Sequence, residues 1–243
     1  MSTVWVILRR ELQGYFATPL AYIFIAAFLG LAGLFTFQLG MFYEARQANL
    51  SAFFAWHPWL YLFLVPAISM RLWAEERRSG TIELLFTLPI SRAQAVAGKF
   101  LAGWALLALA LALTFPLVVT VSVLGDPDGG QIASGYLGSV LMAGAYLAIG
   151  CCMSALTRNQ VISFVLSVVV CFLFMLAGFP AVLEFFSAGP SWLVEAITSL
   201  SFLSHFESMQ RGVIALRDVV FFTSMTLTWL LACAVVLDWN RAR

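Results

Sequence analysis

The sequence predicts an all-α integral membrane protein with six transmembrane helices, and three observations lead there. Of the 243 residues, 62% are apolar and 15% aromatic, while only 10% are charged; soluble domains carry roughly 25% charged residues. A core of this size cannot hide so much apolar surface from water, so lipid must be the solvent. Apolar runs of about 20 residues, the length that crosses the hydrocarbon layer, number six: 20–42, 52–70, 100–124, 135–156, 161–182 and 219–237. With six spans both termini share a side. That side collects ten of the thirteen basic residues: Arg9, Arg10, Arg71, Arg77, Arg78, Arg92, Lys99, Arg158, Arg241 and Arg243. Only Arg46, Arg211 and Arg217 fall opposite, so the positive-inside rule puts both termini in the cytoplasm.

The elements follow in order along one domain, 1–243. Val4, Ile7, Leu8, Leu12 and Tyr15 recur at helical spacing, with Arg9, Arg10, Glu11 and Gln13 largely on the other side. Residues 1–19 therefore read as an amphipathic helix on the cytoplasmic membrane surface, which Gly14 and Thr18-Pro19 turn into the bilayer. The same stretch lacks the unbroken apolar core of a cleavable signal peptide. His57-Pro58 and Pro66 interrupt the second span, and Pro116 is expected to kink the third. Gly144, Ala148 and the run Gly150 to Ser154 put small residues in the fourth span, where helices can approach closely.

The outer loops are 43–51, 125–134 and 183–218. Gly125-Asp126-Pro127-Asp128-Gly129-Gly130 reads as a plain turn. Segment 183–218 is too apolar for a free loop, with Phe185, Phe186, Trp192, Phe202 and Phe206 among its residues. Short helices in the outer interface, or dipping back from it, are expected there. Cys151, Cys152, Cys171 and Cys233 all lie in apolar runs, which points to buried free thiols and away from disulfides or metal sites.

Segment 71–99 is the long polar interruption. It carries Arg71, Arg77, Arg78 and Arg92, with Lys99 at its end as the one lysine of the chain, and the carboxylates Glu75, Glu76 and Glu83. Ser79-Gly80-Thr81 offers a helix N-terminal cap, with Glu83 in the first turn where the helix dipole favours a negative charge. Leu84, Leu85, Phe86 and Leu88 make a short apolar helix, stopped by Pro89. Ser91 and Gln94 match a capping box, so a new helix starts there. A short apolar helix flanked by charge suits docking to a soluble partner; an ordinary solvated loop is the plainer alternative.

The six spans contain no Asp, Glu, Lys or Arg, so ion-coupled transport lacks its usual machinery. There is no phosphate-binding Gly-x-x-x-x-Gly-Lys-Ser/Thr loop, no His-Glu-x-x-His and no Gly-x-Ser-x-Gly. His57 and His205 are the only histidines. Both fall at the outer side with no obvious carboxylate partner, which favours packing roles. An intrinsic enzyme is not expected, no cofactor is expected in this chain, and no basic patch points to nucleic acid.

The pattern Glu76-Arg77-Arg78-Ser79-Gly80-Thr81-Ile82-Glu83-Leu84-Leu85-Phe86-Thr87-Leu88-Pro89-Ile90-Ser91-Arg92, followed by Gly98-Lys99-Phe100, closely resembles ABC-2-type transporter permeases. So do Arg10-Glu11, Tyr15-Phe16 with Pro19, and the segment from Ser204-His205-Phe206-Glu207 through Arg211-Gly212-Val213 to Arg217-Asp218. Within that family the chain is most similar to the gliding-motility-associated Gld-type branch. The resemblance implies a permease half, in the bacterial inner membrane, that pairs with a second permease, identical or related, and binds two cytoplasmic ATPase subunits. ATP and Mg²⁺ would be held by those ATPases. The helix around Thr81 would be the coupling helix, with Glu75, Glu76, Arg77, Arg78, Glu83 and Arg92 as polar contacts, Leu84, Leu85 and Phe86 as apolar anchors, and Gly80 and Pro89 as its bounds. The Gld-type branch further implies a membrane subunit with a large extracytoplasmic region. The implied function is ATP-driven transport, most simply export. The alternative is an anchor that passes ATPase motion to outer partners without moving cargo.

Overall fold

The computed structural model describes residues 3–44, 46–87, 90–186 and 190–239, and for 84–86, 186 and 193 the backbone alone. Leu88, Pro89, Arg241 and Arg243 lie outside the described residues, as do the side chains of Leu84, Leu85 and Phe86. Among the described residues every regular element is helical. Among these described residues, four helical stretches are long and apolar enough to cross a membrane: Leu20–Leu39, Arg92–Leu124, Gly129–Leu156 and Leu216–Trp239.

The first helix, α1, covers Thr3–Ala17. Next, α2 (Leu20–Leu34) runs on into a π-helical turn, Phe35–Leu39, where the Thr36 hydroxyl donates to the Ala32 carbonyl at 2.6 Å. The expected second span is divided. A short α3 (Ser51–Ala55) and then α4 (His57–Ser69) are separated at Trp56. Pro58 sits in the first turn of α4, where a missing N–H costs nothing; Pro66 is accommodated inside it. One residue, Met70, separates α4 from α5 (Arg71–Ser79), and α6 (Thr81–Thr87) follows.

The third span is broken where a kink was expected. α7 (Arg92–Ala112) ends, and α8 (Phe115–Leu124) begins with Pro116 in its first turn. At the break Thr114 donates to the Leu111 carbonyl at 2.6 Å, and its hydroxyl lies 2.7 Å from that of Tyr136. The supposed turn at 125–130 is shorter than expected, because α9 (Gly129–Leu156) already includes Gly129 and Gly130. Asp128 caps it, accepting from the Gly130 and Gln131 amides, which is the N-cap chemistry that the glycines obscured.

The fifth run forms only the 17-residue α10 (Gln160–Leu176), shorter than the expected 161–182. The outer segment does form short helices: α11 (Pro180–Phe186), α12 (Ser191–Ser199) and α13 (Phe202–Gln210). The last helix is α14 (Leu216–Trp239).

The hub is α9, which packs against α4, α5, α7, α10, α13 and α14. Its apolar window is 83% buried inside the protein, against 28% for the Leu20–Leu39 stretch. Small residues make this possible, as the fourth-span pattern suggested. A Cβ on Gly150 would stand 1.9 Å from Ser69 Oγ of α4, so the two helices touch backbone to side chain at a place no larger residue fits. The early turns of α9 meet α13, where Gln131 donates to the Gln210 carbonyl at 3.2 Å. Its last turns meet α5 through Ser154. The helix therefore runs between two ends, about 40 Å apart at 1.5 Å per residue.

Candidate functional site

The end of the bundle where α1, α5 and α7 meet brings Glu76 and Lys99 of the charged segment together with Arg10 and Glu11. The face of α1 turned toward the protein carries Val4, Ile7, Leu8, Leu12 and Tyr15, as the periodicity predicts. Glu11 shares that face, however, because it lies one helical turn beyond Ile7; the sequence reading had put it largely on the other side. α1 crosses α7 at Gly98, where a Cβ would lie 2.7 Å from Ile7 Cγ2.

The next residue, Lys99, is the centre of the site. Its side chain is 2% exposed. Its ammonium donates to Glu11 Oε1 of α1 at 3.1 Å and makes an ion pair with Glu76 Oε1 of α5 at 2.8 Å. It also lies 5.2 Å from the centroid of the Trp73 ring, a cation–π contact. Arg10 closes the group, 2.7 Å from Glu11 Oε1 and 3.8 Å from Glu76 Oε1. Two positive and two negative charges from three helices thus compensate each other in one place. Burial alone would raise the Glu11 carboxyl pKa, but the Lys99 charge and the hydrogen bonds from Arg10 and Lys99 outweigh it and hold the group below the ordinary glutamate range.

α5 is seated on the end of α9. Ser154 Oγ accepts from the backbone amides of Trp73 and Ala74, both at 3.0 Å, and donates to the Met70 carbonyl at 2.9 Å. A serine from one helix thereby caps the first turn of another. The Trp73 indole donates to Cys151 Sγ at 3.2 Å, and Arg77 donates to the Ala155 carbonyl at the C-terminal end of α9, where a positive charge is favoured. Burial, and then the charge of Arg158, lower the Arg77 pKa.

The remaining predicted residues divide as follows. Glu75 makes a two-pronged ion pair with Arg71, at 2.8 and 3.1 Å, one turn away on the exposed side of α5. Gly80 closes α5 in the left-handed conformation, φ 73°. The Ser79 hydroxyl turns back to the Glu75 carbonyl at 2.9 Å and lies 2.9 Å from Thr81 Oγ1, so this pair finishes α5 where the sequence suggested a cap on α6. Thr81 and Glu83 are exposed, with Glu83 in the first turn of α6. The Ser91–Gln94 capping box is present as expected. Arg92 pairs with Asp238 near the end of α14. Arg9 and Arg78 are exposed.

Lys99 is what the sequence reading passed over as a site residue. The available signal was that the chain's one lysine follows a glycine at the head of an apolar run. Both histidines are packed inside the protein. His57 is fully buried among Phe28, Phe53, Phe54 and Tyr61, its Nδ1 2.9 Å from the Phe53 carbonyl. His205 does have a carboxylate neighbour, contrary to expectation, but it is Asp218, while Glu207 pairs with Arg211. Among the described residues no cluster of three or more metal-ligating side chains occurs.

Residues 41–237 match the family model described as ABC-2 family transporter protein. The chain belongs to this family. Its similarity extends to the probable ABC transporter permease protein NosY of Stutzerimonas stutzeri, at 30% identity over 169 residues. That match covers 62% of this chain and 60% of the relative, so it spans less than two thirds of the relative's length. ABC-2 permeases are membrane subunits that work with separate ATPases, which hydrolyse the ATP, and they pair with permease partners. The Lys99 group of this ABC-2 chain draws on both sides of the matched region's start: Glu76 and Lys99 lie inside it, Arg10 and Glu11 before it.

Proposed function

We propose that this chain is one permease half of an ATP-driven transporter, acting as an exporter, and that segment 71–99 is where its ATPase docks. The observation that carries the reading is the Lys99 ion pairing, which ties α1 and α5 to α7. A force applied at α6 reaches α5 through the tight Gly80 corner, and from there α7 and α9 through Lys99 and Ser154. ATPase closure would thus tilt the long helices, and a path for cargo would open between two permease halves. Glu75, Glu76, Arg77, Arg78, Glu83 and Arg92 supply polar contacts, and Leu84, Leu85 and Phe86 the apolar anchors. Of these, Glu76 and Arg77 act inward, Glu75 pairs with Arg71 and Arg92 with Asp238, and Arg78 and Glu83 are turned outward.

Six crossings fit this reading. The run 51–69 spans about 28 Å at 1.5 Å per residue, and α10 with the residues after it is of similar length, against roughly 30 Å of hydrocarbon. The charge asymmetry of the loops supports cytoplasmic termini in a bacterial inner membrane. ATP and Mg²⁺ belong on two partner ATPase subunits, and the second permease is a copy or a relative. The Gld-type likeness adds a membrane subunit with a large extracytoplasmic region. Uncharged spans favour an amphiphilic or lipid-linked cargo over a small ion.

Mild-detergent purification of the tagged chain from its native membrane, with mass identification of its companions, tests the proposal. A stoichiometric ATPase is expected with the wild type and none with Leu85→Asp, which would bury an unpaired charge at the docking face. A chain purified alone overturns the reading. So does a Leu85→Asp complex that keeps its ATPase and full ATP turnover.

A further inference from the structure

At the opposite end of α9 a second buried charged group stands apart from the coupling segment. His205 of α13 and Asp218 of α14 are both 5% exposed in their side chains, with Nδ1 2.6 Å from Oδ1. The other ring nitrogen, Nε2, lies 3.2 Å from the Ser199 carbonyl at the end of α12. The Phe221 ring stacks on the imidazole, with centroids 4.0 Å apart and planes 19° from parallel. Asp218 Oδ2 is buried with no hydrogen-bond partner among the described residues.

The proton count follows from these contacts. A carbonyl oxygen only accepts, so the bond to Ser199 requires hydrogen on Nε2. A 2.6 Å approach between Nδ1 and a carboxyl oxygen likewise requires hydrogen between them. A neutral imidazole with an ionised Asp218 has one hydrogen for two acceptors. Whichever nitrogen carries it, the other presents a lone pair to an oxygen. One additional proton satisfies both contacts, whether it is counted on the imidazole or on the carboxyl. The stacked Phe221 face favours a positively charged ring, and the unpartnered Oδ2 disfavours an isolated carboxylate. We infer that His205 and Asp218 form a buried one-proton binding site whose occupancy ties α12 to α13 and α14.

On the elements packed around the pair, the other charged side chains are exposed or paired elsewhere. Glu207 and Arg211 pair with each other on the exposed face of α13. Arg217 and Glu195, on α14 and α12, are exposed, as is Glu184 of α11. From α9 and α10 the titratable side chains nearest in sequence to the α13 contact are Tyr136, Tyr146 and Cys171, and such groups carry no charge at neutral pH. The sign is fixed by the count. The clasp is closed while the proton is bound and opens as pH rises and the proton leaves. The Ser199 contact goes first, because the carboxylate is the stronger acceptor.

Hydrogen–deuterium exchange of the full-length chain in lipid nanodiscs, from about pH 5 to 9, reads this directly. After correction for intrinsic exchange, amides 197–203 are expected to lose about tenfold protection in a single one-proton step as pH rises, the loss of one hydrogen bond. The step is expected to persist in His57→Gln, which removes the other histidine, and to vanish in Asp218→Asn and His205→Gln. Protection that stays flat across the range in the wild-type chain overturns the inference. So does a step that survives in either clasp variant or disappears in His57→Gln. If the clasp variants do not fold, the wild-type and His57→Gln titrations decide.

Discussion

Two buried ionic groups sit at the two ends of α9, and they are held by opposite means. At the α5 end, Lys99 and Arg10 face Glu11 and Glu76, so the compensating charges are built into side chains from three helices. At the α13 end one imidazole faces one carboxyl among phenylalanine rings, and the count of hydrogens falls one short without a bound proton. The first group is a lock. The second is a latch set by solution conditions. Glu11 sharpens the contrast: its depressed pKa means that its own contribution to the lock is fully present above the ordinary glutamate pKa and is lost only as pH falls through the lower folded value.

The largest expected effect comes from removing the lock's centre. Lys99→Met leaves two carboxylates facing Arg10 alone, and breaking a buried pair in this way costs about 3–5 kcal/mol. Denaturant titration in mixed micelles should show that loss, with α1 exchanging its amides freely. If the variant matches wild-type stability, the cluster is not a lock. A smaller loss is expected for Ser154→Ala, which leaves the Trp73 and Ala74 amides unpaired at the head of α5, about 1–2 kcal/mol. The check is whether protection falls across α5 while α13 keeps its wild-type exchange, since the two ends should respond separately. Least of all should Arg71→Ala matter. Its pair with Glu75 is partly exposed and lies outside the Lys99 group, so a change of about 0–1 kcal/mol that shrinks in high salt is expected. A loss as large as that of Lys99→Met would mean that the lock extends along the whole of α5.

The legibility of these features in the sequence tracks how local their causes are. The capping box at Ser91 and Gln94, the helix of Thr81–Thr87 and the apolar face of α1 depend on residues three or four apart, and all three follow from the chain's own periodicity. The small residues of α9 likewise announce a close helix contact. Lys99 could not be placed this way, because its partners lie 88 and 23 residues back on separate helices. The same holds for His205, whose carboxylate is Asp218 across a turn while the nearer Glu207 faces outward to Arg211. Prolines misled in proportion to what their neighbours supplied. Pro66 is absorbed inside α4, but Pro116 marks a full break, where the Thr114 hydroxyl, itself held by Tyr136, satisfies the Leu111 carbonyl.

The enclosure of α9 also bears on how the chain is made. Of the four long helices it has the lowest mean hydropathy, 1.8, and by far the most covered surface. The helix least suited to lipid is the one that lipid scarcely touches in the finished protein. When it leaves the ribosome, α4 and α7 are already available to shelter it, but α10, α13 and α14 do not yet exist. For that interval one side of α9, with its glycines and serines, has only lipid or a helper protein beside it. α14, made after the other helices that pack on α9, then completes its enclosure.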